Sequence, residues 1–189
     1  GAELGEGPVG LITYMRTDSL NLSADSLQEA KLFLQKEVGE KYALPVPRYF
    51  KTKTKGAQEA HEAIRPTDPG RTPESVKEFL DARQLKLYDL VWKRFLATQM
   101  PAAIFDATAA DIKASDSTFR ATGQTLKFDG FLKIYPTKFT ESELPDLKPE
   151  ENLKLIQLKP EQHFTEPPAR FSEASLIKVL EQNGIGRPS

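Results

Sequence analysis

Tyr14 and Arg16 stand two residues apart in Thr13-Tyr14-Met15-Arg16-Thr17-Asp18-Ser19. In an extended run, side chains with that spacing share a face. A phenol ionises near pH 10 (about 10 in model peptides) and is a poor nucleophile at neutral pH. A guanidinium held beside it favours the phenolate, and also stabilises charge building on a phosphate oxygen under attack. The pair therefore suits covalent attack on a phosphodiester, with tyrosine as nucleophile and arginine as electrostatic support. The same residues also suit a half-buried strand tyrosine beside a solvated arginine.

A second group lies in Gln58-Glu59-Ala60-His61-Glu62-Ala63-Ile64-Arg65. Read as a helix, it places Gln58, His61, Glu62 and Arg65 on one polar stripe, with Ala57, Ala60 and Ile64 opposite. Such a stripe could meet a phosphate, with His61 donating a proton or hydrogen bond and Arg65 clamping. It reads equally as a solvated face of ordinary Glu/Arg pairs. The histidine pattern lacks the second imidazole of a helical zinc motif, so no metal ligands are assigned. A third group, Asn183-Gly184-Ile185-Gly186-Arg187-Pro188-Ser189, lets the backbone approach a ligand closely and places Arg187 for phosphate. A helix cap followed by a turn has the same sequence. Lys51, Lys53 and Lys55 offer either non-specific attraction to a polyanion or a solvated loop. His163 reads as structural.

The elements that must position these groups follow from periodicity. Gly10 to Tyr14 is a short β-prone run. Leu27, Ala30, Leu34 and Val38 recur at helical spacing from a start near Ser23, and Gly39 terminates them. Residues 41–56 read as a loop, and Ala57 to Arg65 as a helix stopped by Pro66. Thr72-Pro73-Glu74 opens a helix with threonine as cap and proline in the first turn, and Val76, Phe79 and Leu80 as its apolar side. A longer helix from about Gln84 carries Tyr88, Val91, Trp92 and Phe95 on one stripe and ends before Pro101. Ile104 to Ala114 and Thr118 to Phe128 are predicted as a hairpin through Ser115-Asp116-Ser117, with Leu153 to Leu158 as a third strand. Ser172 caps a last helix containing Leu176, Ile177, Val179 and Leu180, ended by Gly184.

The frame is that of an ordinary globular protein: 189 residues, 39% hydrophobic and 28% charged. With no cysteine, disulfides and cysteine-ligated zinc are excluded. No apolar run approaches the roughly 20 residues of a membrane span. The net charge of -1 gives no global sign of a polyanion partner, so any nucleic-acid contact must be local. The Gly1-Ala2-Glu3 start has no methionine or signal pattern and reads as an internal cut.

Taken together, the three groups resemble the type IA DNA topoisomerase family in its bacterial topoisomerase I form. Gly10-Leu11-Ile12-Thr13-Tyr14-Met15-Arg16-Thr17-Asp18-Ser19 resembles the nucleophile motif. Ala57-Gln58-Glu59-Ala60-His61-Glu62-Ala63-Ile64-Arg65-Pro66-Thr67 resembles a second block. Pro167-Pro168-Ala169-Arg170-Phe171-Ser172-Glu173-Ala174-Ser175-Leu176, running on to Gly184-Ile185-Gly186-Arg187-Pro188-Ser189, resembles a third. Phe128-Asp129-Gly130-Phe131 fits the β region between them. The resemblance implies an α+β, multi-domain fold: a helical domain over 1–100 carrying Tyr14, a β-rich arch segment over 101–166, and the start of a helical DNA-groove domain over 167–189. It implies Tyr14, Arg16 and His61 as catalytic residues, and DNA contacts from Arg16, His61, Arg65, Arg187 and Ser189. It further implies relaxation of negatively supercoiled DNA without ATP, through a 5′-phosphotyrosine and strand passage. Mg2+ would be used by the full-length enzyme, with ligands outside this chain. The expected partner is single-stranded DNA within a negatively supercoiled duplex, for a monomer in the bacterial cytoplasm at the nucleoid and not at a membrane. Since the metal-binding domain of the family is not in the sequence, the chain alone is expected to be inactive. Topoisomerase III and reverse gyrase share parts of the motif set. The other readings are a tyrosine recombinase or type IB enzyme and a non-catalytic module that binds single strands. The first expects His-x-x-Arg and a tyrosine near the C-terminal end, whereas His61 and Arg65 are one residue too far apart and the tyrosine comes first.

Overall fold

The structure, a computed structural model, describes residues 2–3, 7–17, 19–50 and 61–185. Asp18, Arg187, Ser189, the three lysines of 51–55 and Gln58 lie outside the described residues. The architecture is α+β. Two short strands, β1 (Ala2–Glu3) and β2 (Pro8–Val9), pair antiparallel. Helix α1 (Ala24–Phe33) begins at Ser23, whose side chain accepts from the Ser26 amide, and continues into a π-helical turn over Leu34–Val38. Gly39, at φ 120°, ends it as the sequence predicts. Helix α2 (Pro73–Val76) has the expected Thr72 cap and runs into a 3-10 turn over Lys77–Phe79. Helix α3 (Ala82–Thr98) opens with a reciprocal Asp81/Gln84 capping box.

One core holds these pieces. Leu11, Ala30, Leu34, Tyr42, Val76, Tyr88, Trp92, Phe95, Leu96 and Met100 are buried together. The apolar stripe of α3 supplies four of them, as its spacing requires. Phe79, expected on the apolar side of α2, is instead half exposed, because the helix tightens into the 3-10 turn there.

Strands β3 (Ile104–Ala114) and β4 (Ser117–Phe128) form the predicted hairpin. Ser115, at φ 53°, lies in the tight turn joining them. Most hairpin side chains are exposed; Asp111 and Arg120, directly opposite in register, make a two-bond ion pair. The base of the hairpin is tied to the helices. Phe128, Phe131 and Ile134 pack on the helical core, and Phe128 stacks on Tyr42, whose hydroxyl donates to Asp129 at 2.7 Å. Gly130 adopts φ 50° with the Ala102 and Pro101 carbonyls against it, where a Cβ would sit 2.5 Å from the Ala102 oxygen.

Two expectations are overturned. Residues 153–158 form no strand; Leu155 and Ile156 are strongly exposed. The segment that adds to β4 is the one at Ser142, which exchanges both backbone hydrogen bonds with Gln124. Gly123 permits this crossing, since a Cβ there would lie 2.5 Å from the Ser142 oxygen. The second correction concerns residues 61–65, which are not helical. Their backbone groups pair with another part of the chain, and the next section shows how. Helix α4 (Glu173–Gln182) does form, capped by Ser172 and followed by Gly184 at φ 70°.

Candidate active site

Residues 10–13 and 65–67 run antiparallel as a minimal ladder. Ile12 bridges Pro66, the Thr13 amide donates to the Arg65 carbonyl at 2.9 Å, and the Thr67 amide donates to the Leu11 carbonyl at 3.0 Å. The Thr13 hydroxyl strengthens it, donating to the Ala63 carbonyl at 2.8 Å and accepting from the Arg65 amide at 3.0 Å. Further along, the Ser19 hydroxyl donates to the His61 carbonyl, and the Ala63 amide donates to the Asn21 carbonyl at 2.8 Å. These bonds hold 61–65 as a non-helical segment with a bend at Ile64. A nine-residue helix ending at a proline has little intrinsic stability to set against them.

The segment is itself held from the core side. Trp92 Nε1 donates to the Pro69 carbonyl at 2.9 Å, and the Tyr88 hydroxyl to the Arg71 carbonyl at 2.6 Å. Burial pushes the Tyr88 phenol up to about 12, so it stays a hydrogen-bond donor at any ordinary pH. Helix α3 thus fixes the loop that follows Pro66, and that loop orients the strand on which the Tyr14 run lies.

Within this frame the structure brings Arg16 and His61 together, 45 positions apart, with Arg16 Nη1 3.4 Å from His61 Nε2. A guanidinium only donates, so Nε2 must offer its lone pair, which places the ring proton on Nδ1. His61 Nδ1 is buried and has no hydrogen-bond partner among the described residues. Tyr14 lies 79% exposed, with Met15 exposed beside it. A solvent-facing phenol two residues along the chain from an arginine paired with His61 can offer an extended phosphodiester a nucleophile and one cationic donor.

Arg65 sits differently. Its guanidinium donates to Glu62 through Nε at 2.8 Å and Nη2 at 3.0 Å, and to the Pro66 carbonyl through Nη1 at 2.9 Å. Its side chain is 13% exposed. Glu62 also accepts from the Ser23 amide at 3.1 Å, linking this segment to the start of α1. Burial alone would raise the Glu62 carboxyl, but the bonds from Arg65 and Ser23 and the charge of Arg65 outweigh it, holding the carboxyl below its usual range. The helical stripe predicted for His61, Glu62 and Arg65 is therefore replaced by three separate roles on a non-helical segment. Sequence reasoning assigns no role to Thr13 or Ser19, whereas Glu62 makes the Glu/Arg pair that is one reading of the 58–65 stripe. Alternation along 13–16, which turns Thr13 away from Tyr14 and towards the protein, was the available signal for the first.

The profile of a family described as DNA topoisomerase matches residues 4–189. The chain is 47% identical over its whole length to DNA topoisomerase 1 of Rickettsia conorii, covering 25% of that protein. It is 48% identical to DNA topoisomerase 1 of Campylobacter jejuni, covering 27% of it. Among solved structures, full-length topoisomerase I of Thermotoga maritima superimposes with a TM-score of 0.79 at 36% identity, over the whole of this chain and 30% of that one. The chain thus spans about a quarter of the length of the curated relatives it matches.

Proposed function

Because the chain belongs to the DNA topoisomerase family, we propose that it is the strand-cleaving segment of a type IA enzyme that relaxes negatively supercoiled DNA, with Tyr14 as nucleophile. The Tyr14 oxygen bonds to phosphorus of a single-stranded segment while the bond to the 3′ oxygen breaks. The Tyr14 phenol gives up its proton as it attacks, the 3′ oxygen takes one up and leaves as a hydroxyl, and the 5′-phosphate stays on Tyr14. Reversal reseals the strand, and because each step exchanges one phosphoester for another, no ATP is consumed. Arg16 supports the charge on the phosphate oxygens, and His61 is assigned a contact with the DNA near the break on resemblance, its Nε2 being taken by Arg16 and its Nδ1 buried. Arg187 and Ser189 are assigned to backbone contacts on resemblance alone. Arg65 is assigned there on the same ground, though its guanidinium is engaged by Glu62 and Pro66.

The observation that carries this reading is the exposed Tyr14 phenol on the same short run as an arginine paired with His61. We assign 1–100 to the domain that carries the nucleophile, 101–166 to part of an arch and 167–189 to a groove-lining unit, in a monomeric parent acting at the nucleoid. Among the described residues no group of three or more histidine, aspartate or glutamate side chains could hold a metal ion. Magnesium is assigned to the full-length enzyme on the family resemblance, and this chain alone is expected not to cleave. No helix among the described residues is long and apolar enough to cross a membrane.

The test uses the full-length parent with magnesium, negatively supercoiled plasmid and a single-stranded oligonucleotide. Tyr14→Phe is expected to abolish both relaxation and the covalent protein–DNA adduct. Relaxation or adduct formation by the variant would show that another residue is the nucleophile.

A further inference from the structure

Tyr14 and Met15 are exposed, so burial does not hold the run in place. Its two ends are held instead, and each by a hydroxyl. At one end Thr13 Oγ1 sits between the Ala63 carbonyl, to which it donates, and the Arg65 amide, from which it accepts. At the other end Ser19, only 5% exposed, donates to the His61 carbonyl and accepts from the Asn21 amide at 3.3 Å. Both hydroxyls grip the backbone of one non-helical segment, 61–65, which also carries His61. We propose that Thr13 and Ser19 are positioning residues that fasten the chain on either side of Tyr14 and Arg16 to the 61–65 backbone, and so set both residues relative to His61. The inference rests on the reading of Tyr14 as nucleophile.

The chemistry explains why hydroxyls serve here. A ladder continued through residues 14–18 would spend the backbone on sheet pairing and flatten the run against 61–65. Two side-chain staples leave Tyr14 and Met15 exposed to a ligand while fixing the chain on either side of them. Covalent attack needs the reacting atoms in line, and a displacement of about 1 Å costs on the order of 100-fold in rate. DNA affinity, spread over many phosphate contacts, depends far less on that single register.

The experiment measures covalent-adduct formation on a single-stranded oligonucleotide by the full-length protein with magnesium, at saturating DNA, beside Kd for the same oligonucleotide without magnesium. Thr13→Val keeps the shape and removes donor and acceptor together; it is expected to slow adduct formation roughly 10- to 100-fold, with Kd changed less than about 3-fold. Thr13→Ser restores the hydroxyl and is expected to return the rate to within about 3-fold of the parent. Ser19→Ala leaves the Thr13 staple intact and is expected to move rate and Kd in the same unequal way. A parental rate in Thr13→Val overturns the proposal, as does a loss that Thr13→Ser does not restore or one matched by an equal loss of affinity. If Thr13→Val does not fold, Ser19→Ala decides: a slowed rate at near-parental Kd upholds the proposal, and a parental rate overturns it. Tyr14→Phe, run in parallel, separates the two readings. An adduct in that variant refutes the nucleophile itself, whereas its absence together with a parental rate in the staple variants refutes the positioning role alone.

Discussion

Replacing Glu62 with glutamine keeps the side chain's shape and removes its charge, and Arg65 is poorly placed to accept the loss. The Glu62 carboxylate takes three hydrogen bonds: two from the Arg65 guanidinium at 2.8 and 3.0 Å and one from the Ser23 amide at 3.1 Å. Glutamine keeps one acceptor oxygen and turns an NH2 towards a cation. Bonds to charged groups are worth roughly 1.5–3 kcal/mol each, and stranding one partner of a buried pair costs roughly 3–5 kcal/mol. Arg65 is 13% exposed but Glu62 is 30% exposed, so water relieves part of that loss. A destabilisation of about 2 kcal/mol is expected, which at a slope of about 2 kcal/mol per molar urea lowers the unfolding midpoint by about 1 M. The pH dependence supplies a second, sharper check. The folded Glu62 carboxyl is depressed, so its contribution is present above the unfolded value of about 4.3 and is lost as pH falls through the lower folded value. The gap in urea midpoint between parent and Glu62→Gln should therefore be constant from pH 7 down to about 5.5 and narrow progressively as pH falls below the unfolded value of about 4.3. Equal midpoints at pH 7, or a gap that persists unchanged at about pH 3, would refute the reasoning.

Two other perturbations probe what holds the site's surroundings. Gly130→Ala places a side chain at φ 50° and 2.5 Å from the Ala102 oxygen, so at least about 2 kcal/mol should be lost in urea unfolding. Faster hydrogen exchange at the Phe131 amide, which donates to Pro101, should accompany it; a parental exchange rate would count against a close-packed hairpin base. Arg120→Ala removes an ion pair whose partners are 68% and 51% exposed, and should leave the thermal midpoint unchanged within error at any salt concentration. A measurable drop would mean the hairpin depends on a contact that water should screen.

The amino-acid sequence alone determined the elements whose cause is local. Caps at Ser23, Thr72, Asp81 and Ser172 and the apolar stripe of α3 dictate the helices, because short-range hydrogen bonds and one-sided burial act within a few residues. Alternation and a two-residue turn dictate the hairpin in the same way. The residue types at Tyr14, Arg16 and His61 already pointed to phosphoryl chemistry. Tertiary structure decided whatever depended on a partner distant in sequence. Residues 61–65 have helical spacing but are not helical, since Thr13, Ser19 and Asn21, more than 40 positions away, take up their backbone groups. The place beside β4 went to Ser142 and not to 153–158, since Gly123 opens a close approach there that propensity does not record. Arg65, equivalent to Arg16 as a letter, is turned onto Glu62, and only the fold separates the arginine that meets His61 from the one that holds the segment.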